Sequence, residues 1–374
     1  MLSLNRRLFA SLAFLVFAVS ARSQELSKEK QSEISQVVSN FMAAHSIPGL
    51  AVAVVLDGRP AFSAGFGMAD LENFVPATSA TLFRLGSVSK PITATAVLQL
   101  YERGKLDLDV PIQKYCPVFP QKDQPITTRE LLNHLSGIRH YNPDGKGDIA
   151  EDSARHFSSM EEALSIFASD PLVAPPGTKF RYSTYGYTVL GCVLEGASGQ
   201  KYTDFVRENV LRPAAMEHTE VDNSFAIVPH RSRWYNKNRA GAVENAGVLD
   251  SSYKIPGGGW LSSGDDLARY ESAILANTLL KPATRDLMWS PGHTAAGEQL
   301  SYGLGWGSET RFGLKLYGHT GGQQGTSTVI TLVPERRAGV VVLANLEHAD
   351  VYSLSMQLLA IILSLKDLPA AKTP

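Results

Sequence analysis

Between Leu26 and His45, the apolar residues Ile34, Val37, Val38, Phe41 and Met42 recur at helical spacing with Ser, Lys, Glu and Gln between them. This predicts an amphipathic helix ended by Ile47-Pro48-Gly49. The pattern then changes period. Leu50 to Leu56 is an unbroken, β-branched-rich run, Asp57-Gly58 is a tight-turn pair, and Ala61 to Met68 is the returning strand. The far end of the chain mirrors this arrangement. Ser301 to Gly307, Leu314 to Tyr317, Ser327 to Val333 and Gly339 to Asn345 predict strands, Pro334 to Ala338 a polar turn, and Val351 to Leu365 an apolar helix. From about Thr81 to Met288 the pattern is different, with helical runs separated by Pro/Gly loops. They are Val88 to Arg103, Thr128 to Asn133, Ser159 to Phe167, Gly186 to Ala197, Tyr202 to Val210 and Gly264 to Ala276. Thr127 with Glu130 makes a capping box before one of them.

The expectation is an α/β (α+β) fold. An antiparallel sheet is built from both chain ends and flanked by the two terminal helices, with a mostly helical region inserted between them. There is no internal repeat and no linker long enough to separate independent units. Residues 24–374 therefore read as one domain, with a sheet lobe of about 24–80 and 289–370 and a helical lobe of about 81–288.

Residues 1–23 read differently. Arg6 and Arg7 precede an apolar run from Leu8 to Val19, followed by small residues around Ala21 and Ser23. That order describes a secretory signal peptide. An uncleaved anchor fits less well because the run is short for a membrane span, and a mitochondrial presequence would be amphipathic. Cleavage after Ser23, with Ser20 and Ala21 as alternatives, would leave an exported chain, periplasmic or secreted, with no further stretch able to span a bilayer.

Composition narrows the function classes. Apolar residues make up 44% and charged residues 19%, which is ordinary for a globular protein and argues against disorder. Thirty-five basic residues against 36 acidic give a net charge of −1, without the basic excess of a nucleic-acid binder. Two cysteines cannot build a disulfide framework or a four-Cys zinc site, and no H-E-x-x-H or Cys/His cluster suggests a metal or other cofactor. Cys192 lies in the apolar run Thr188 to Leu194 and reads as a core thiol, with pairing to Cys116 the less favoured alternative.

Three short segments carry candidate chemistry. Ser87-Val88-Ser89-Lys90 opens a predicted helix, where positions i and i+3 share a face, so that Lys90 can reach back to the Ser87 hydroxyl. A serine is a weak nucleophile until an adjacent base takes its proton, and a lysine amine can do so once desolvation or a nearby cation lowers its pKa. Tyr182-Ser183-Thr184 sits on a loop before an apolar helix. Gly318-His319-Thr320-Gly321-Gly322 sits beside a predicted strand, with glycines that permit close approach of another backbone or a ligand.

In this order, S-x-x-K, Y-x-x and [K/H]-T-G resemble the penicillin-recognising serine hydrolases, which include class C β-lactamases, D-Ala-D-Ala peptidases and related esterases. Phe83-Arg84-Leu85-Gly86, Leu131 to Ile138, Gly258 to Ser263 and Asp266 to Arg269 are similar to further stretches of the same superfamily. Ser136 to Tyr141 and Tyr182-Ser183-Thr184 look most like the mitochondrial serine β-lactamase-like proteins and their bacterial relatives. The resemblance runs from about Ile34 to Leu363 and implies the β-lactamase/transpeptidase-like fold. It implies Ser87 as acylated nucleophile, Lys90 as its proton partner and Tyr182 as a second acid/base group. It leaves open which of those two is the base. The Ser87 and Gly322 amides would form the oxyanion hole, and Thr184, His319, Thr320 and Gly321 would line the substrate. His134 and His140 read as hydrogen-bonded framework. Two positions depart from the family. Thr184 stands where Asn is common, and His319 replaces the lysine of K-T-G. An ordinary imidazole is neutral at pH 7 and charges toward pH 5.5, so carboxylate-bearing substrates should be held weakly at neutral pH. The expected function is acyl-enzyme hydrolysis of an amide or ester, peptidase or esterase rather than efficient β-lactamase, on a small-molecule or peptide substrate. The alternative is a catalytically idle penicillin-binding-like scaffold or sensor, which the resemblance allows to form filaments. Oligomeric state stays open.

Overall fold

The apolar runs at the two ends of the chain pair with each other. Gly49–Leu56 lies antiparallel to Ala338–Ala344, placing Val52 opposite Val342 and Ala53 opposite Val341. The computed structural model describes residues 26–141 and 154–365, so the segment read as a signal peptide lies outside the described residues. Seven antiparallel strands form the main sheet, in the order Val75–Pro76, Arg59–Asp70, Gly49–Leu56, Ala338–Ala344, Thr326–Val333, Leu314–Gln323 and Gly307–Arg311. Gly49–Leu56 and Ala338–Ala344, side by side in its middle, are apolar at every position because both faces are covered. Val52, Val54, Val340 and Val342 pack with Ile34, Val38, Leu354 and Leu358 of the helices Lys28–His45 and Val351–Leu363. Ala51, Ala53, Val341 and Leu343 face the other way and join a core shared with helix Gly264–Leu275 and the inserted region. The two terminal helices thus share one face of the sheet, and an inserted helix covers the other.

Four differences from the pattern reading have local causes. Ser301 to Gly307 is not a strand. Gly305 sits at φ +84° and the Gly303 amide donates to the Trp306 carbonyl, so the segment folds into a turn before the strand begins at Gly307. The Gly-rich third motif lies within a strand, Leu314–Gln323, rather than beside one. A small sheet of Phe83–Arg84, Trp260–Ser262 and Glu220–Val221 was not foreseen, since two- and three-residue strands leave no periodicity to read. Finally, Cys192 is not a free core thiol. It is disulfide-bonded to Cys116, 76 residues away, with the Cα atoms 5.4 Å apart. Gly196, one turn beyond Cys192 on helix Thr184–Ser198, lets the Tyr115 backbone lie directly against the helix; a Cβ there would collide with the Tyr115 carbonyl. That contact brings the two cysteines together, and nothing in their spacing announces it.

Candidate active site

Ser87 lies on a tight turn, Gly86–Val88, that leads into helix Ser89–Glu102, and every residue from Ser89 to Leu100 is buried. Gly86 adopts φ +50°, and a Cβ on it would sit 2.9 Å from the Gly322 nitrogen. Glycine here meets both the left-handed backbone and the close approach of the neighbouring strand. One turn on, the fully buried Lys90 Nζ lies 2.9 Å from Ser87 Oγ, 2.8 Å from the Gly257 carbonyl oxygen and 3.1 Å from Thr184 Oγ1. Burial pushes its pKa well below the ordinary lysine value, and the nearby Lys254 charge pushes the same way. A neutral amine has two N–H groups and one lone pair. Gly257 offers only an acceptor and takes one N–H. With Thr184 Oγ1 accepting the other, the lone pair is left for the Ser87 hydroxyl proton.

Tyr182 is hydrogen-bonded to Ser87, and burial raises its phenol pKa well above the ordinary value, so it stays protonated at ordinary pH. Lys90 Nζ lies 4.8 Å from the centre of its ring, and the His134 ring packs 4.3 Å away. The loop is held by backbone bonds to two imidazoles. The Ser183 amide donates to His134 Nδ1 at 3.1 Å and the Thr184 amide to His140 Nδ1 at 3.2 Å. Ser183 then caps helix Thr184–Ser198 by accepting from the Gly186 amide at 2.9 Å. Both histidines therefore have the framework role expected of them.

The third wall is the strand Leu314–Gln323. Its pairing with Gly307–Arg311 ends at Gly318 opposite Gly307, so among the described residues its outer edge from Thr320 to Gln323 has no partner strand. That edge meets the turn carrying Ser87. A Cβ on Gly321 would lie 3.1 Å from the Ser87 nitrogen and would overlap the Leu85 carbonyl, whereas a Cβ on Gly322 would meet nothing within 4 Å. His319, in the same strand, is buried, with both ring nitrogens engaged. Nδ1 lies 2.6 Å from the Thr320 carbonyl, which can only accept, so Nδ1 carries the proton. Nε2 then accepts from the Tyr302 hydroxyl at 2.9 Å. Burial, with the Lys90 charge nearby, lowers the His319 pKa to about 3. The sequence expectation that this imidazole charges toward pH 5.5 is therefore corrected: it stays neutral, because it is out of water with an acceptor nitrogen already satisfied.

Residues 34–361 match the Beta-lactamase family model. The chain belongs to the beta-lactamase family. Among its relatives, the mitochondrial serine beta-lactamase-like protein LACTB of Homo sapiens is 32% identical, over 77% of this chain and 69% of the relative. Penicillin-binding protein 4* of Bacillus subtilis (strain 168) is 27% identical over 87% of this chain and 74% of its own. The octameric penicillin-binding protein homologue from Pyrococcus abyssi superposes with a TM-score of 0.77 at 28% identity, covering 89% of this chain and 77% of that one. A D-stereospecific amidohydrolase from Streptomyces shares the fold, with a TM-score of 0.74 at 23% identity over 86% of this chain and 96% of that one.

Seen as a beta-lactamase-family site, the arrangement brings Ser87, Lys90, Tyr182, Thr184, His319 and Gly321 around one centre and adds residues that pattern reading passed over. Thr184, expected against the substrate, is buried with its hydroxyl on Lys90 instead. Gly257 contributes a carbonyl, Lys254 a charge and Tyr302 a hydroxyl. Gly257 and Lys254 adjoin the Gly258 to Ser263 stretch, whose resemblance to the family was the available signal for them. Tyr302 gave none, because it lies in a segment read as a strand.

Proposed function

We propose that this protein is a serine hydrolase that cleaves an amide or ester through an acyl-enzyme on Ser87. The observation that carries the reading is a fully buried lysine amine, 2.9 Å from the Ser87 hydroxyl, with its pKa driven down by burial. Lys90 takes the Ser87 Oγ proton as the oxygen attacks the carbonyl carbon. The Ser87 and Gly322 amides hold the resulting oxyanion. On collapse the scissile bond breaks, and the leaving group takes its proton from Tyr182, whose raised pKa keeps it an acid. The Tyr182 oxygen then takes back the proton held on Lys90, Ser87 Oγ being esterified at this stage. Water releases the acyl group by the same steps in reverse, which restores the Ser87 hydroxyl, the Lys90 amine and the Tyr182 phenol. This assigns the base role to Lys90 and the acid role to Tyr182.

The substrate reading follows from charge. Neutral His319 offers no positive group to a carboxylate, which favours uncharged esters and amides over β-lactams. Export, periplasmic or secreted, fits the N-terminal pattern and a chain whose two cysteines are paired. The mitochondrial relative names the other destination to test. Among the described residues no helix is long and apolar enough to cross a membrane.

Intact-mass measurement after fluorophosphonate treatment tests the reading. One adduct is expected on the wild type and none on Ser87→Ala, with hydrolysis of neutral esters lost by about 10⁶-fold and Tm unchanged. An idle scaffold would give no adduct on either, and Ser87→Ala retaining a few per cent of activity would remove Ser87 from the chemistry.

A further inference from the structure

A cavity of about 370 Å³ opens beside the site and continues past it. On the near side it is lined by Tyr182, Tyr302, His319 and Phe180. It then passes the edge of the sheet and reaches the opposite face, under Tyr352 of helix Val351–Leu363. The passage exists because two glycines face each other at the last pair of the outer ladder, Gly307 opposite Gly318. Side chains alternate across a sheet, so Leu316, Gly318 and Thr320 share the terminal-helix face. A Cβ on Gly318 would overlap the Ile330 carbonyl, whereas one on Gly307 would meet only the Gly318 carbonyl, 3.3 Å away, so it is Gly307 that leaves the trough open. Leu316 and Val329 floor it. Its volume is at the small end of the range for ligand pockets, and its lining is mainly apolar, as such pockets are.

Ser87, Lys90, Thr184 and Gly257 do not line this cavity, whereas Tyr182 does. It therefore lies on the leaving-group side of the reacting bond, if Tyr182 is the acid. Charge sorts what can enter. Among the described residues no lysine or arginine lines it, and its one ionisable carboxyl, Glu309, accepts a hydrogen bond from the Tyr352 hydroxyl at 2.5 Å. The cation Arg311 lies 5.9 Å from the centre of the Tyr352 ring and hydrogen-bonds the same hydroxyl that Glu309 holds. We infer that the Gly307–Gly318 trough is a leaving-group subsite for an uncharged, apolar alcohol or amine portion that crosses the sheet edge and ends under Tyr352. This rests on the hydrolase reading and adds to it the class of leaving group.

Acetate esters of primary alcohols test it, because every member forms the same acetyl-enzyme and differs only on the leaving side. For the wild type, kcat/KM should rise about two- to fourfold per methylene from ethyl to hexyl acetate. An ester of equal length ending in a free carboxylate should fall at least tenfold below its methyl-terminated partner. Gly307→Val should shorten the preferred alcohol and Tyr352→Ala should lengthen it. Shifts in opposite directions cannot come from a shared loss of folding. 1-Octanol binding to the Ser87→Ala protein, followed by ligand-observed NMR, reads the trough without the chemistry. Octanol binding with no ester hydrolysed would keep the subsite and sink the hydrolase reading. Esters hydrolysed with a flat length series, or with the carboxylate ester equal to its partner, would overturn the subsite alone.

Discussion

Two cations flank the nucleophile at equal distance along the chain, Arg84 three residues before Ser87 and Lys90 three residues after it. Both side chains are withdrawn from water. Arg84 is fully provided for. Nε donates to Asp222 at 2.8 Å, Nη2 donates to the Leu249 carbonyl at 2.9 Å, and the guanidinium lies 3.4 Å from the centre of the Trp234 ring. Lys90 touches two hydroxyls and a carbonyl, and its strongest charged influence is another lysine. A buried charge that is paired remains a charge and fixes structure; a buried amine without a carboxylate gives up its proton. The first cation pins the strand that delivers Ser87, and the second is left with the lowered pKa that the proposed base role requires. The same burial thus yields scaffold on one side of the serine and chemistry on the other, decided by whether a carboxylate faces the cation.

The strongest test of that contrast is Lys90→Met. Removing the amine should lower kcat/KM for neutral esters by at least about 10³- to 10⁴-fold, while Tm holds or rises. The sign follows from linkage. Folding lowers the Lys90 pKa well below that of the unfolded chain, so at pH 7 the folded protein holds that proton less tightly, a cost in stability that methionine avoids. A large fall in Tm would show Lys90 to be a structural cation like Arg84. Asp222→Ala should do the reverse, stripping the buried guanidinium of its partner at a cost of about 3–5 kcal/mol. Chemical denaturation reads this directly, and the folded fraction at low temperature should still accept fluorophosphonate.

A smaller effect sharpens the origin of the basic amine. Lys254 depresses the Lys90 pKa, so Lys254→Met should raise it and move the acidic limb of kcat/KM to higher pH. Rates below that limb would drop by about tenfold for each unit moved. An unmoved limb would leave burial as the sole cause. The smallest expected effect is at His319. His319→Lys should improve an ester bearing a free carboxylate by a few-fold, up to about 1 kcal/mol for a solvent-accessible ion pair, relative to its neutral partner. Because the wild-type imidazole is neutral down to about pH 3, the gain should be as large at pH 5.5 as at pH 8. A gain that vanishes at pH 5.5 would mean that His319 protonates in the ordinary range.

The frame of the fold was legible where repetition is long. The runs from Leu50 to Leu56 and from Ser327 to Val333 could hardly be anything but covered strands, and the Thr127–Glu130 capping box appears in the structure with both of its reciprocal bonds. Ser87 and Lys90 were legible because their contact is local, a single helical turn. The remaining contacts join residues far apart in sequence. Thr184 could be expected near the site but not on Lys90, since its backbone direction is set by two histidines some 44–49 residues earlier. Burial was the quantity least accessible to pattern reading. The titration of His319 depends on how completely Tyr182, Tyr302 and the strand close around it, and no spacing rule contains that.

The pairing of Gly49–Leu56 with Ala338–Ala344 also governs when the proposed site can assemble. As the chain emerges from a ribosome or a translocation pore, Ser87 and Lys90 appear early, and their helix can coil at once. The strand that walls them, Leu314–Gln323, is anchored to the first strands only through Thr326–Val333 and Ala338–Ala344. Until those arrive Lys90 is wetted, keeps its proton and cannot serve as a base. Long-range strand closure is slow, so topology alone imposes a delay. If the proposed roles hold, the nascent chain carries its nucleophile in an inert form and is armed in the final step of its own folding.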